Sequence, residues 1–250
     1  MRLVIGGIIH DRGEMTECYL RHLLALDLTG IEAQWFFVCD GHRDSWQLPR
    51  GSEYVCVIDY GPRWTREPRD NDDPRPEYRR LAFLRNIMRE KLIAADADAL
   101  VNIDSDICAP VDLVQRLVGA QSPWVAALVD NAAIRDKKED QELLRMAGRD
   151  RHYRRPCFNI LNLPDGKTDR INPDWSAGGY ADATGAICLY SRALLERVAW
   201  SWYPCGEDIG FSLEANVAGY RARYLPILCD HLMTPERLSL HKERCELCRG

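Results

Sequence analysis

Four short apolar runs dominate the first hundred residues and restrict the fold more than anything else in the chain: RLVIGGII (Arg2–Ile9), QWFFVC (Gln34–Cys39), YVCVI (Tyr54–Ile58) and ALVNI (Ala99–Ile103). Each has the length and β-rich composition of a strand buried on both faces. Between them lie stretches with helical spacing. Glu14–Leu28 places Tyr19, Leu20, Leu23, Leu24 and Leu26 on one side, and Arg79–Ala95 does the same with Leu81, Leu84, Met88 and Leu92. Strands that alternate with helices imply βαβ units, right-handed crossovers and a mostly parallel sheet. Further elements are predicted at Val111–Val118 (helix), Trp124–Val129 (strand), Asp136–Asp150 (charged helix), Ala183–Tyr190 (strand), Ser191–Val198 (helix capped by Ser191), Glu207–Gly219 (helix) and Arg221–Leu228 (strand). Gly61–Tyr78, rich in proline and arginine, reads as loop.

In an open α/β sheet, ligands bind beyond the carboxyl ends of the strands. Asp104-Ser105-Asp106 follows the fourth run directly. Two carboxylates there repel each other unless a cation or hydrogen bonds compensate. A hard divalent ion that bridges carboxylates to phosphate oxygens would do so. So would an ordinary turn, with Asp104 as its cap and Asp106 solvated; this short motif leaves the two readings level.

The surroundings break the tie. LAFLRNIMREKLIAADADALVNIDSDI resembles the stretch that leads to the Asp-x-Asp motif of GT-A glycosyltransferases, with Arg85-Asn86 on a helix, an acidic turn, a buried strand and then the two carboxylates. FFVCDGHRDS is similar to the second-strand signature of the family-2-like members, with His42 where a serine is usual. WYPCGEDIGFSLEANVAGYRARYLP resembles the segment in which Glu-Asp opens a helix before the last core strand, and DHLM offers His231 where many such enzymes carry a metal-binding histidine. The likeness runs in order from Arg2 to Met233.

That resemblance implies an α/β fold of GT-A type: a mostly parallel, Rossmann-like central sheet flanked by helices. It implies one domain over residues 1–240, with a nucleotide-sugar half to about 110 and an acceptor half beyond, and a tail at 241–250. Its activity is metal-dependent transfer of a sugar from a nucleotide diphosphate, a UDP-sugar by preference, to a hydroxyl acceptor. Asp11, Asp40, Arg85, Asp104 and Asp106 would contact the donor. Asp106, His231 and Asp104 would hold Mn²⁺ or Mg²⁺. Glu207 and Asp208 would be the catalytic pair, Asp208 as general base if configuration inverts. Gly185 would let the backbone approach a sugar. Trp175 and Tyr180 are acceptor-side candidates, ahead of Trp200, Trp202 and Tyr203, whose commoner use is core packing.

Two other classes compete. A nucleotidyltransferase also uses carboxylates and Mg²⁺ at strand ends, but normally has a glycine-rich basic loop after the first strand; here Gly6-Gly7 lies inside the strand and only Arg12 follows. A nucleotide-sugar-binding module without activity is the other, although both acidic pairs are intact.

A net charge of −5 does not mark a nucleic-acid binder. The basic segments Arg63–Arg80 and Arg149–Arg155 still make DNA with hydroxymethylated bases a candidate acceptor beside a glycan. No apolar run is long enough to span a membrane, and no export signal opens the chain, so a cytoplasmic protein without disulfides is expected. Of the ten cysteines, Cys39, Cys56, Cys108, Cys188 and Cys229 sit singly in apolar runs as small buried side chains. In the tail, His241, Cys245 and Cys248 have zinc-ligand spacing, with Cys229, Cys205 or His231 as fourth ligand; the bland alternative is a tail of free thiols.

Overall fold

The computed structural model describes residues 1–10, 12–41, 47–58, 77–129, 159–162, 169–170, 177–204, 206–232 and 234–248. The strands are β1 (Arg2–Ile9), β2 (Glu32–Asp40), β3 (Glu53–Val57), β4 (Ala99–Ile103), β5 (Ile107–Cys108), β6 (Trp124–Val129), β7 (Ile160–Asn162), β8 (Asp169–Arg170), β9 (Gly179–Ala181), β10 (Ala183–Thr184), β11 (Ile187–Ser191) and β12 (Ala222–His231). The helices are α1 (Glu14–Leu24), α2 (Glu77–Ala94), α3 (Leu113–Gly119), α4 (Arg192–Arg197), α5 (Glu207–Val217) and α6 (Pro235–Arg244), followed by a 3₁₀ turn at Glu246–Cys248.

Among the described residues the main sheet has the order β3-β2-β1-β4-β11-β6-β12-β5, with β9 beside β12. The pairs β3–β2, β2–β1, β1–β4 and β6–β12 are parallel, whereas β11 runs antiparallel to both β4 and β6. Two reversals restore direction, so β12 points the same way as β4. The carboxyl ends of β1, β2, β4 and β12 therefore share one edge. A small sheet, β10-β7-β8, lies apart.

Period-two alternation sends successive side chains to opposite faces and builds two cores. Leu3, Ile5 and Ile9 of β1 and Val101 and Ile103 of β4 pack with Tyr19, Leu20 and Leu23 of α1 and Leu113, Val114 and Leu117 of α3. Val4 and Ile8 of β1 and Leu100 of β4 join Leu84, Met88 and Leu92 of α2, Leu194 and Leu195 of α4 and Phe211 of α5 on the other face. Helices thus cover both faces, as the alternation of runs requires. Aromatic stacking closes the second layer: Trp200 lies 4.5 Å from Phe211, and Trp124 meets Phe211 edge-on at 5.6 Å. Trp200 is therefore a packing residue.

The structure alters several predicted boundaries. The first helix stops at Leu24, whose side chain is exposed, because the turn leading to β2 begins there. The expected strand Ala183–Tyr190 is two strands, broken where Ala186 takes φ 68°. The last strand continues to His231 because β5 pairs with its end, Ile107 facing His231 and Cys108 facing Asp230. α6 was not predicted. Thr234 caps it through Oγ1, which accepts from the Arg237 N–H at 3.3 Å, and Pro235 occupies the first turn. Ser191 caps α4 as expected, its Oγ accepting from the Leu194 N–H. The predicted helix at Asp136–Asp150 and both strongly basic stretches lie outside the described residues, apart from Glu77–Arg80 at the start of α2. No helix among the described residues is long and apolar enough to cross a membrane.

Candidate active site

The chain turns sharply after β4. The Ile107 N–H donates to the Asp104 carbonyl at 3.0 Å, closing a tight turn over Asp104–Ile107. The Asp104 N–H in turn donates to the carbonyl of Ala186 at 2.9 Å. This turn gives the two carboxylates different partners. Asp104 accepts a two-pronged contact from Arg85, with Nη1 to Oδ1 at 3.1 Å and Nη2 to Oδ2 at 3.2 Å, and a further bond from Asn102. Asp106 instead meets Arg12, Nη1 to Oδ2 at 2.5 Å, and His231, Nε2 to Oδ2 at 3.2 Å. The backbone supports this second pair: the Leu232 N–H donates to the Asp106 carbonyl at 2.7 Å. Burial opposes the Asp106 charge, but His231 and Arg12 outweigh it and hold the carboxyl at about 2.

Asp104 has both oxygens on Arg85, whereas Asp106 Oδ2 stands 3.2 Å from His231 Nε2. Arg85 is 5% exposed, and its Nε also donates to Glu207 Oε1 at 3.1 Å and lies 3.6 Å from Asp208 Oδ1. It thereby faces three carboxylates at once. Burial works against its charge, but Asp104, Asp208 and Glu207 together raise its pKa well above the usual value. Glu207 is buried against Arg85 and acts as an anchor of the helix start.

Asp208 differs from its neighbour in keeping its side chain 29% exposed. Burial, with Glu207 and Asp104 close by, pushes its carboxyl well up from the usual range in spite of Arg85. Its Oδ2 fills the space beside Gly185, where a Cβ would lie only 1.8 Å away. The missing side chain at Gly185 leaves room for the Asp208 carboxylate.

Asp40, at the end of β2, accepts from Arg80 Nε at 2.6 Å and lies 3.4 Å from His10 Nδ1. Burial disfavours its charge, yet His10 and Arg80 hold its carboxyl below the ordinary value. Arg80 is 1% exposed, so this member of the basic stretch is not a solvated charge. Asn86, the partner of Arg85 in the motif, clamps the backbone at Trp200: its side-chain amide donates to the carbonyl at 2.8 Å and accepts from the N–H at 2.9 Å. That clamp fixes the chain leading into α5. Tyr180 is exposed at the sheet edge, and Arg79 sits 4.7 Å over the ring of Trp202. Asp11, His42, Trp175 and Cys205 lie outside the described residues.

The tail cysteines find a different fourth partner from the one expected. His22, His241, Cys245 and Cys248 bring their donor atoms within 4.8 Å of one another. Cys229 is not among them. It belongs to the core packed on α1 and α3, because consecutive residues of β12 face opposite ways and Asp230 takes the side toward His241. The signal available in sequence was Cys18 and His22, one helical turn apart on the buried face of α1. Arg12 was noted only as a loop residue, and its contact with Asp106 depends on the turn after β4. Among the described residues no cysteine is in a disulfide.

A divalent ion suits the Asp106–His231 pair. Adjacent ligands of an octahedral ion with bonds near 2.1 Å stand about 3 Å apart, and the observed separation is 3.2 Å. An oxygen and an imidazole nitrogen form a donor set that Mn²⁺ accepts, and Mg²⁺ less readily.

The mostly parallel sheet flanked by helices is a GT-A-type fold, as its similarity to solved structures shows. No protein-family model matches the chain, and no curated protein matches it by sequence. Solved structures do. GalNAc-T7, solved with UDP, GalNAc and Mn²⁺, superposes with a TM-score of 0.54 at 12% identity over 92% of this chain and 42% of its own. TarS 1–349 of S. aureus gives 0.52 at 12% identity over 97% and 64%. A197 from STIV gives 0.49 at 13% identity over 94% and 87%. The chain thus spans less than two thirds of the length of the first two.

Proposed function

We propose that this chain is a metal-dependent glycosyltransferase that moves a sugar from a nucleotide-diphosphate donor, a UDP-sugar by preference, to a hydroxyl acceptor. The observation that carries the reading is the meeting of Asp106 and His231 at 3.2 Å on the sheet edge where α/β folds bind ligands. UDP and Mn²⁺ in the GalNAc-T7 structure support the donor and metal classes through the shared fold. Residues to about 110 form the donor half and those beyond it the acceptor half.

Asp106 and His231 would hold Mn²⁺ or Mg²⁺, which would supply positive charge for a diphosphate leaving group. Arg12 adds a guanidinium at the same carboxylate, suited to phosphate oxygens. Asp104, aligned by Arg85, faces the ribose or sugar hydroxyls. Asp40, set by Arg80 and His10, lies toward the base. Asp208 accepts the proton of the acceptor hydroxyl; its raised pKa makes it a stronger base than an ordinary carboxylate. A base acting on the acceptor belongs to a single displacement, so the sugar inverts. Glu207 and Arg85 are positioning residues. The acceptor is a glycan or a hydroxymethylated DNA base.

The test is an assay of UDP-sugars with Mn²⁺ against oligosaccharides and hydroxymethylated DNA. Release of UDP with a glycosylated product, lost in Asp106→Ala, is the expected result. Pyrophosphate release from a nucleoside triphosphate would assign the site to nucleotidyl transfer instead. Donor binding with no transfer to either acceptor class would leave a binding module.

A further inference from the structure

The second cluster lies on the far side of β12 from His231 and has no part in the proposed transfer. Its two histidines pose a hydrogen-bonding problem. His22 Nδ1 stands 2.8 Å from the carbonyl of Ala109, which only accepts, so Nδ1 carries the proton. His241 Nδ1 stands 2.7 Å from the Asp230 carboxylate, which fixes its proton in the same way. The two Nε2 atoms face each other across 3.1 Å. Cys245 Sγ is 3.3 Å from His22 Nε2. Cys248, 1% exposed, completes the group, and the thiols of Cys18 and Cys108 face its sulfur. Two ring nitrogens and two sulfurs converge on one small space, which is the donor set of a soft cation.

We propose that His22, His241, Cys245 and Cys248 bind one structural zinc ion that fastens the C-terminal helix α6 to α1. A tetrahedral zinc with bonds near 2.1 Å to nitrogen and 2.3 Å to sulfur spaces its ligands about 3.4–3.8 Å apart. The observed separations of 3.1 and 3.3 Å need only a few tenths of an ångström of adjustment (~0.3 Å). All four positions are protein ligands, which is the closed arrangement of a structural site. The donor set of two imidazoles and two thiolates separates it from the oxygen-preferring pair at Asp106. Ala109 and Asp230 are the outer partners that orient the two imidazoles, a recurrent feature of histidine–zinc sites. The ion would join residues near both ends of the chain, where Met15, Cys18, Leu232 and Leu238 supply only a small apolar cluster.

The test is metal analysis of the full chain, expressed with zinc and purified without a histidine tag. About one zinc per chain is expected, retained through dialysis. It should fall to background in His22→Ala and Cys248→Ser and stay in Cys229→Ser. Asp230→Ala should keep the site but weaken zinc affinity about 10–100-fold. Because ligand variants can misfold, cobalt exchange into the wild-type chain gives a second measurement: intense visible bands of tetrahedral cobalt with thiolate charge-transfer absorption. A chain without zinc and without these bands overturns the proposal. So does zinc that survives both ligand variants, or a Cys245–Cys248 disulfide in the freshly purified protein. None of these readouts depends on sugar transfer.

Discussion

Gly185 and Asp208 fit together as space and occupant: a Cβ at Gly185 would stand 1.8 Å from the Asp208 carboxylate oxygen. The glycine lies between β10 and β11, and the aspartate in the first turn of α5. Gly185→Ala should therefore displace the carboxylate without touching Asp106 or His231. The expected outcome is a fall in kcat of about 10²-fold or more with donor binding unchanged, measured by steady-state kinetics beside nucleotide-sugar titration. An equal loss of donor affinity would show that Asp208 is not the acceptor-side base.

Asp106 and His231 should fail in a graded way. Asp106→Ala removes the charge and the proposed metal ligand, and Mn²⁺-dependent thermal stabilisation by a UDP-sugar should vanish, since only a ligand that binds the fold raises its apparent stability. His231→Ala keeps the carboxylate, so the shift should shrink while the Mn²⁺ requirement for half-effect rises. A full donor shift in Asp106→Ala would remove the metal site from the mechanism.

Arg85 faces Asp104, Glu207 and Asp208 from a nearly buried position. Arg85→Met leaves these carboxylates facing one another without a cation. Removal of one partner from a buried ionic group costs about 3–5 kcal/mol, to be read as a lower midpoint in urea unfolding. A midpoint within experimental error of wild type would mean that solvent reaches the cluster freely.

The pH response divides between two carboxyls. Asp208 is raised in the fold, so its contribution to stability is full below the unfolded value near 3.9 and is lost as pH rises through the folded value. At pH about 7 it opposes folding, and Asp208→Asn should be more stable than wild type there, with the gap closing toward acid. Asp106 is lowered to about 2, so its contribution is present above roughly 3.9 and is lost as pH falls toward 2. Asp106→Asn should lack that acid-side loss. Thermal melts of both variants across pH measure the two windows, and an Asp208→Asn chain less stable than wild type at neutral pH would reverse the sign argued here.

The alternation of buried runs with helical patterns was enough to read the layers, the parallel pairing and the acidic turn after β4, because period and burial are local properties of sequence. Asp40 ends β2, Asp104 and Asp106 stand in the turn after β4, and Glu207 and Asp208 open α5, all places that a local pattern marks. Their partners are not so marked. Whether Asp104 faces a metal or Arg85 depends on a turn closed by one backbone hydrogen bond. Whether Asp208 is exposed depends on a glycine in another element. His22 was hidden because a buried histidine on an apolar helix face is usually a packing residue, and only the fold brings Ala109, His241 and Cys245 against it.

Sequence by itself determined the sheet edge at which the acidic residues stand and the residue types available for chemistry there. Tertiary structure decided the pairings. The reversal of β11 restores the direction of β12, and β5 then extends that strand far enough to carry His231 to Asp106 on one face and Asp230 to His241 on the other. Those contacts join residues more than a hundred positions apart or place them on opposite faces of a single strand. Strand register and crossover geometry fix both, and no local pattern encodes either.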